Sequence, residues 1–176
     1  MNRNENKNKC QNTQTSAKYQ NFTLFLALFD ALPVIFFCLG MLLIATRFRN
    51  IFFLVGVILC TCAGCGKVLW KILVSSAGKD IRILNRQLRV LMPVGFLLVI
   101  IGLISGRSKI DFAVLLSRIT AFPSCLFFGV TVIGMICMSV FAVKLDGTKA
   151  KSNWIEQITN AVAQGCFLLG VFSSLM

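Results

Sequence analysis

Residues 22–45 read FTLFLALFDALPVIFFCLGMLLIA, and this stretch decides the fold class of the chain. Asp30 is its single charged residue, and about 20 apolar residues in helical form are enough to cross the hydrocarbon core of a bilayer. The stretch is longer than the apolar core of a signal peptide, which has about 7–15 residues, and no small-residue cleavage site follows it. We therefore expect a retained transmembrane helix.

Further apolar segments follow the first one. The predicted spans are residues 22–45, 51–77, 90–105, 122–143 and 154–176. The last of them carries Glu156, Gln157, Asn160 and Gln164 in its first half, so the alternative for that segment is an amphipathic helix lying in the interface. The sequence thus predicts an all-α polytopic transmembrane helix bundle of about five spans with short basic loops, forming a single domain over residues 22–176.

Two of the connecting segments are more than turns. Residues 78–89 alternate basic and apolar side chains, which suggests a segment with an apolar side resting on the headgroups, and Leu84 and Leu88 can extend the third helix into this region. Residues 110–119 place apolar side chains at helical spacing. We expect that short helix to lie along the membrane.

The overall composition agrees with a membrane environment. Hydrophobic residues make up 57% of the chain and charged residues 14%, whereas about a quarter of residues are charged in soluble proteins. The formal net charge is +12, but most Lys and Arg lie in short segments between apolar runs. That distribution is typical of membrane topology, so we expect anionic lipid headgroups as partners and no nucleic acid.

Basic residues also predict the orientation. If the N-terminus is cytoplasmic, the inner segments carry eleven Lys and Arg and the outer segments five, with Lys67 and Lys71 in neither total. The excess favours a multi-pass protein of the cell membrane with its N-terminus in the cytoplasm. Residues 1–21 are polar and rich in Asn and Gln, which predicts a disordered cytoplasmic tail.

The sequence lacks the residues that several functional classes require. The chain has no histidine, and its eight cysteines fall mostly within apolar runs, where they act as small hydrophobic side chains. Cys62 and Cys65 form a C-x-x-C pattern, but apolar surroundings disfavour the thiolate that redox chemistry needs. No catalytic signature and no cluster of carboxylates is present, so we expect no enzyme, no metal and no cofactor.

Ionisable residues inside the spans are the candidates for a site. Asp30 in span one and Lys67 in span two have similar predicted depths, and an isolated charge there costs at least about 2.5–3.5 kcal/mol. We therefore predict an Asp30–Lys67 pair within a polar layer that Asn160 and Gln164 reach from span five. Lys71, one turn closer to the interface, is expected to extend its ammonium group to the headgroups.

Prolines and glycines in the spans are candidates for helix packing or gating. Pro33 and Pro93 each remove a backbone hydrogen bond within a helix, and such residues often mark bent or broken helices. Gly56 and Gly64, with Cys60 between them, form a stripe at four-residue spacing that allows close approach of another helix.

Two functional hypotheses follow from these residues. The first is a small transporter, channel or transporter subunit whose solute or proton meets the polar layer in the cytoplasmic half. The alternative is a non-catalytic accessory, regulatory or immunity membrane protein, in which the same charges fix helix register. A short chain with an odd number of spans is consistent with a homo-oligomer or a partner membrane subunit. A polar layer open to water would favour transport, whereas direct contact between dry charges would favour the alternative.

Overall fold

The computed structural model describes residues 24–77, 81–106, 112–145 and 150–176, and within these ranges it contains helices and no strand. The predicted tail, residues 1–21, lies outside the described residues. The helices are α1 (Leu24–Phe29), α2 (Ala31–Phe48), α3 (Ile51–Ala77), α4 (Arg82–Gly106), α5 (Phe112–Thr120), α6 (Ser124–Lys144) and α7 (Ala150–Leu175).

Five stretches of the described chain are long and apolar enough to cross a membrane. They are Phe25–Arg47, Ile51–Ser76, Arg89–Gly106, Ser124–Phe141 and Lys151–Leu175. Helices α1 and α2 together form the first stretch. The last stretch is long and apolar enough to span a membrane despite the polar start of α7. The predicted all-α bundle with five candidate spans is confirmed, and the chain has the character of a multi-pass membrane protein.

The third helix extends into the preceding connection, as the sequence allowed. Residues 82–89 form the first turns of α4, which runs without interruption into the third span. The cause is that no helix-breaking residue separates Arg82 from Val90, and extending a helix is easier than ending it and nucleating another. Between spans three and four, α5 forms at the predicted place.

A tight turn joins α2 to α3. Arg49 adopts a left-handed conformation (φ 42°, ψ 43°), and its N–H donates to the carbonyl of Ala45 at 3.0 Å. The side chain of Asn50 then accepts from the N–H of Phe52 at 2.9 Å, which caps the start of α3. The two spans therefore run antiparallel with a connection of two residues.

The helices pack as a row in space rather than in chain order. Helix α4 packs against α3, α3 against α1 and α2, α2 against α7, and α7 against α6. Span one thus lies between spans two and five. Near the turn end, Met41, Phe53, Val57 and Val99 form a buried apolar cluster that joins α2, α3 and α4.

Small residues allow the close approach of α3 and α4. A Cβ atom at Gly56 would lie 2.7 Å from the carbonyl oxygen of Gly95, and one at Gly102 would lie 2.5 Å from the backbone nitrogen of Phe53. A Cβ at Gly64 instead meets Val34 of α2 at 3.0 Å. The predicted stripe therefore serves helix packing, but its two glycines face different neighbours.

Candidate functional site: a buried ion pair in the bundle

The first span is interrupted where its acid lies. Helix α1 ends at Phe29 and α2 begins at Ala31, leaving Asp30 as a turn residue. Pro33 has no N–H to donate to the carbonyl of Phe29, and its ring is fully buried. This position matches the predicted break. Pro93, by contrast, is exposed and lies inside α4, which continues past it without interruption.

Asp30 forms an ion pair with Lys71 of α3. The Nζ atom of Lys71 lies 2.9 Å from Oδ2 of Asp30, and the two side chains are 6% and 10% exposed. At this distance and burial the contact is a charge-assisted hydrogen bond largely shielded from water. It links the break in span one to the second span.

Gln157 of α7 completes the cluster. Its side chain is buried, and with its amide oriented to satisfy both neighbours it accepts from Nζ of Lys71 at 2.9 Å and donates to the carbonyl of Leu26 at 2.9 Å. The same carbonyl accepts from the N–H of Asp30 at 3.3 Å. We call Asp30, Lys71 and Gln157 the polar cluster. It joins spans one, two and five.

The predicted partner of Asp30 was wrong by one helical turn. Lys67 is half-buried and does not pair with Asp30, although it and Glu156 both interact electrostatically with Lys71. Lys71, expected to reach the headgroups, is instead buried. The reason is that depth in the membrane hardly separates the two lysines. Counted from the turn between α2 and α3, Asp30 lies 19 residues before Arg49, and the residue 19 positions after Asn50 is Leu69. Leu69 lies midway between Lys67 and Lys71.

The polar residues farther along α7 lie apart from the cluster. The amide nitrogen of Gln164 contacts Sδ of Met135 on α6 at 3.6 Å, and Asn160 is half-buried. Gln164 is two helical turns, about 10 Å, from Gln157 along α7. The prediction that Gln164 joins the Asp30 layer is therefore wrong, and Gln157 takes that role.

An aromatic group lies beside the polar cluster. The ring of Trp154 lies 5.8 Å from that of Phe25 and 5.5 Å from that of Phe29, centroid to centroid. Trp154 precedes Gln157 by three residues, so both side chains are on the face of α7 that meets α1. This contact helps to place Gln157 over the break in span one.

The sequence contained one clue to Gln157. Trp154 and Gln157 are three residues apart, which makes them neighbours on one helix face. The stripe Glu156, Asn160 and Gln164 is centred on Asn160, about 60° around α7 from Gln157, and Gln164 lies on nearly the same face as Gln157 but two turns farther along the helix. Rotation of a helix about its axis depends on its neighbours, which hydropathy does not report.

The cluster is electrically balanced and its hydrogen bonds are satisfied. Lys71 offsets Asp30 in formal charge, and no buried side-chain nitrogen or oxygen of the described residues lacks a partner. The seven described cysteines are free, and the described residues contain no group of three or more potential metal ligands. No protein-family model, curated protein or solved structure matches this chain.

Proposed function

We propose that this chain is a non-catalytic membrane module, an accessory or regulatory component of the membrane, in which the polar cluster holds three spans in register. The observation that supports it is the direct 2.9 Å contact between Asp30 and Lys71, with both side chains at most one-tenth exposed. Each charge thus has its partner inside the protein. A solute or water would have to displace that partner to bind there.

The energetics of the pair support a structural role. Desolvating each ion costs several kcal/mol, and removing one partner from a buried pair costs about 3–5 kcal/mol because the other charge is left alone. Lys71 has three N–H donors, and Asp30 and Gln157 accept two of them. A change of partner would break two short contacts at once, so the cluster favours one arrangement of the spans.

Transport is the second candidate, and a different observation favours it. Span one has an irregular turn at Asp30, where Pro33 removes a helical hydrogen bond, and irregular helices in membrane transporters commonly line the binding site near the middle of the bilayer. Lys67 lies one turn from Lys71 and is half-buried, so it offers Asp30 an alternative partner. A transporter, channel or transporter subunit would use such an exchange to move a proton or solute.

Vesicle flux combined with a double substitution separates the two candidates. For the membrane module, vesicles containing the wild-type chain hold a proton or potassium gradient as well as empty vesicles, and Asp30→Asn with Lys71→Met folds and assembles as the wild type does. For transport, the wild type dissipates the gradient, and the double variant folds but does not. That second result would replace the proposal made here.

Assembly is part of the same proposal. An accessory component acts through another membrane protein or a second copy of itself, and we propose one of these as partner. Cross-linking in native membranes followed by purification tests it. Recovery of the chain as a monomer, with no cross-linked species at any reagent concentration, would contradict an accessory role.

A further inference from the structure

A small cleft lies at the end of the bundle opposite the polar cluster. It is lined by Arg47 from the last turn of α2, Arg118 of α5, and Ser174 and Leu175 at the end of α7, and has a volume of about 270 Å³. Arg47 follows Asp30 by 17 residues, about 25 Å along a helix. The cleft is slightly smaller than typical small-molecule pockets of about 300–1,000 Å³, so it suits one compact polar group.

Arg118 is held in place by the protein itself. One of its terminal nitrogens, Nη1, donates to the carbonyl oxygen of Ser174 at 3.3 Å, which ties α5 to the end of α7. A guanidinium group has five N–H donors, so this bond leaves donors for a ligand. A purely structural role, capping the last carbonyls of α7, explains the position of Arg118. It does not explain Arg47, which lines the same cleft from another helix.

The charged side chains of the cleft favour an anion. Both of them are guanidinium groups, those of Arg47 and Arg118, and no acidic side chain of the described residues lines the cleft. Arginine binds phosphate through two parallel hydrogen bonds, which makes a phosphate group the best-matched anion.

We infer that the Arg47–Arg118 cleft binds a phosphate group, and that its source is the headgroup of an anionic phospholipid. The cleft lies at the end of two spans, the level at which headgroup phosphates lie in a bilayer. This inference is independent of the proposed function, because it concerns the other end of the bundle. Inorganic phosphate is the alternative source with the same chemistry.

The test compares ligands that differ by a phosphate. The melting temperature of the detergent-solubilised chain is measured during titration with phosphatidic acid, with diacylglycerol of the same acyl chains, and with inorganic phosphate. Phosphatidic acid should raise it and diacylglycerol should not. If inorganic phosphate raises it equally and competes with phosphatidic acid, the site stands and its ligand is the free anion.

Substitutions then locate the binding. Arg47→Gln and Arg118→Gln should each weaken the apparent affinity for phosphatidic acid about tenfold, as expected for loss of a charged hydrogen bond. Arg49→Gln is the matched control, since Arg49 lies at the same end, is exposed and does not line the cleft. Binding within twofold of wild type in the Arg47→Gln, Arg118→Gln double variant would overturn the inference, as would an equal loss in Arg49→Gln.

Stability without lipid separates ligand binding from folding. Arg118→Gln also loses the bond to Ser174, so its melting temperature can fall in the absence of lipid. The side chain of Arg47 makes no hydrogen bond with a described residue, so Arg47→Gln should melt like the wild type without lipid and still bind phosphatidic acid more weakly. Unchanged binding by Arg47→Gln would show that the cleft is not the site.

Discussion

Replacing Lys71 with Met should destabilise the protein far more than the same change at Lys67. Met keeps most of the length and the apolar stem of Lys but removes the charge. At position 71 the change leaves the carboxylate of Asp30 without the ammonium group 2.9 Å away, in a setting where its side chain is only 10% exposed. Lys67 is half-buried and has no described ion pair to lose, so it is the matched control.

The size of the effect follows from the burial of the pair. Removing one partner of a buried ion pair costs about 3–5 kcal/mol. For Lys67→Met we expect a change within about 1 kcal/mol, the scale of partly exposed charge interactions.

The free energy of unfolding of both variants is measured on the purified chain in detergent. A denaturing detergent is titrated in, and circular dichroism monitors the loss of helix. The double variant Asp30→Asn with Lys71→Met should recover much of the loss seen in Lys71→Met, because no buried charge is then left alone. An equal loss in Lys67→Met and Lys71→Met would refute the pairing read from the structure. Strictly additive losses of the two single substitutions would refute it as well.

Three other predictions concern packing and topology. Gln157→Leu should cost about 1–3 kcal/mol, since Lys71 loses an acceptor and a backbone carbonyl loses a donor; a melting temperature equal to wild type would contradict this. Gly102→Ala should destabilise the protein by about 1–3 kcal/mol, because the added Cβ would collide with the backbone of Phe53. Gly129→Ala should stabilise it by about 0.5–1 kcal/mol, because the added Cβ has nothing within 4 Å. Denaturation measures both changes. A reporter fused after Met176 should read as extracytoplasmic and one within residues 79–89 as cytoplasmic, and a cytoplasmic C-terminal reporter would remove the fifth span or reverse the orientation.

Helix number and type followed from the sequence because the bilayer imposes them. An apolar stretch of about 20 residues has no stable state in lipid other than a helix or a closed barrel strand, and its length is set by the thickness of the hydrocarbon core. Residues 51–77 illustrate this, because the predicted span and α3 coincide despite two lysines near its end. The missing hydrogen bond beside Asp30 was likewise predictable, because Pro33 has no N–H to donate. Whether the helix is interrupted there was not, since the helix that contains Pro93 continues without interruption.

The sequence also predicted a buried charge within the spans, but it did not identify the residues that pair with it. A buried aspartate in lipid requires compensation, so the sequence alone demanded a cation for Asp30. Choosing between Lys67 and Lys71 needed the register of two helices to within one turn, about 5 Å. A lysine side chain can reach across about that distance, so depth could not discriminate.

What only the tertiary structure decided is how each helix is rotated about its axis and how deep it lies relative to its neighbours. Hydropathy is nearly uniform around a transmembrane helix because lipid is as apolar as the protein interior, so the sequence carries little information on which stripe faces inward. Neighbours decide instead. Trp154 packing on Phe25 and Phe29 fixes α7 so that the turn carrying Gln157 meets Lys71, whereas Gln164 lies on nearly the same face two turns farther along the helix. The existence of a buried charge was thus set by composition, and the identity of its partners by packing.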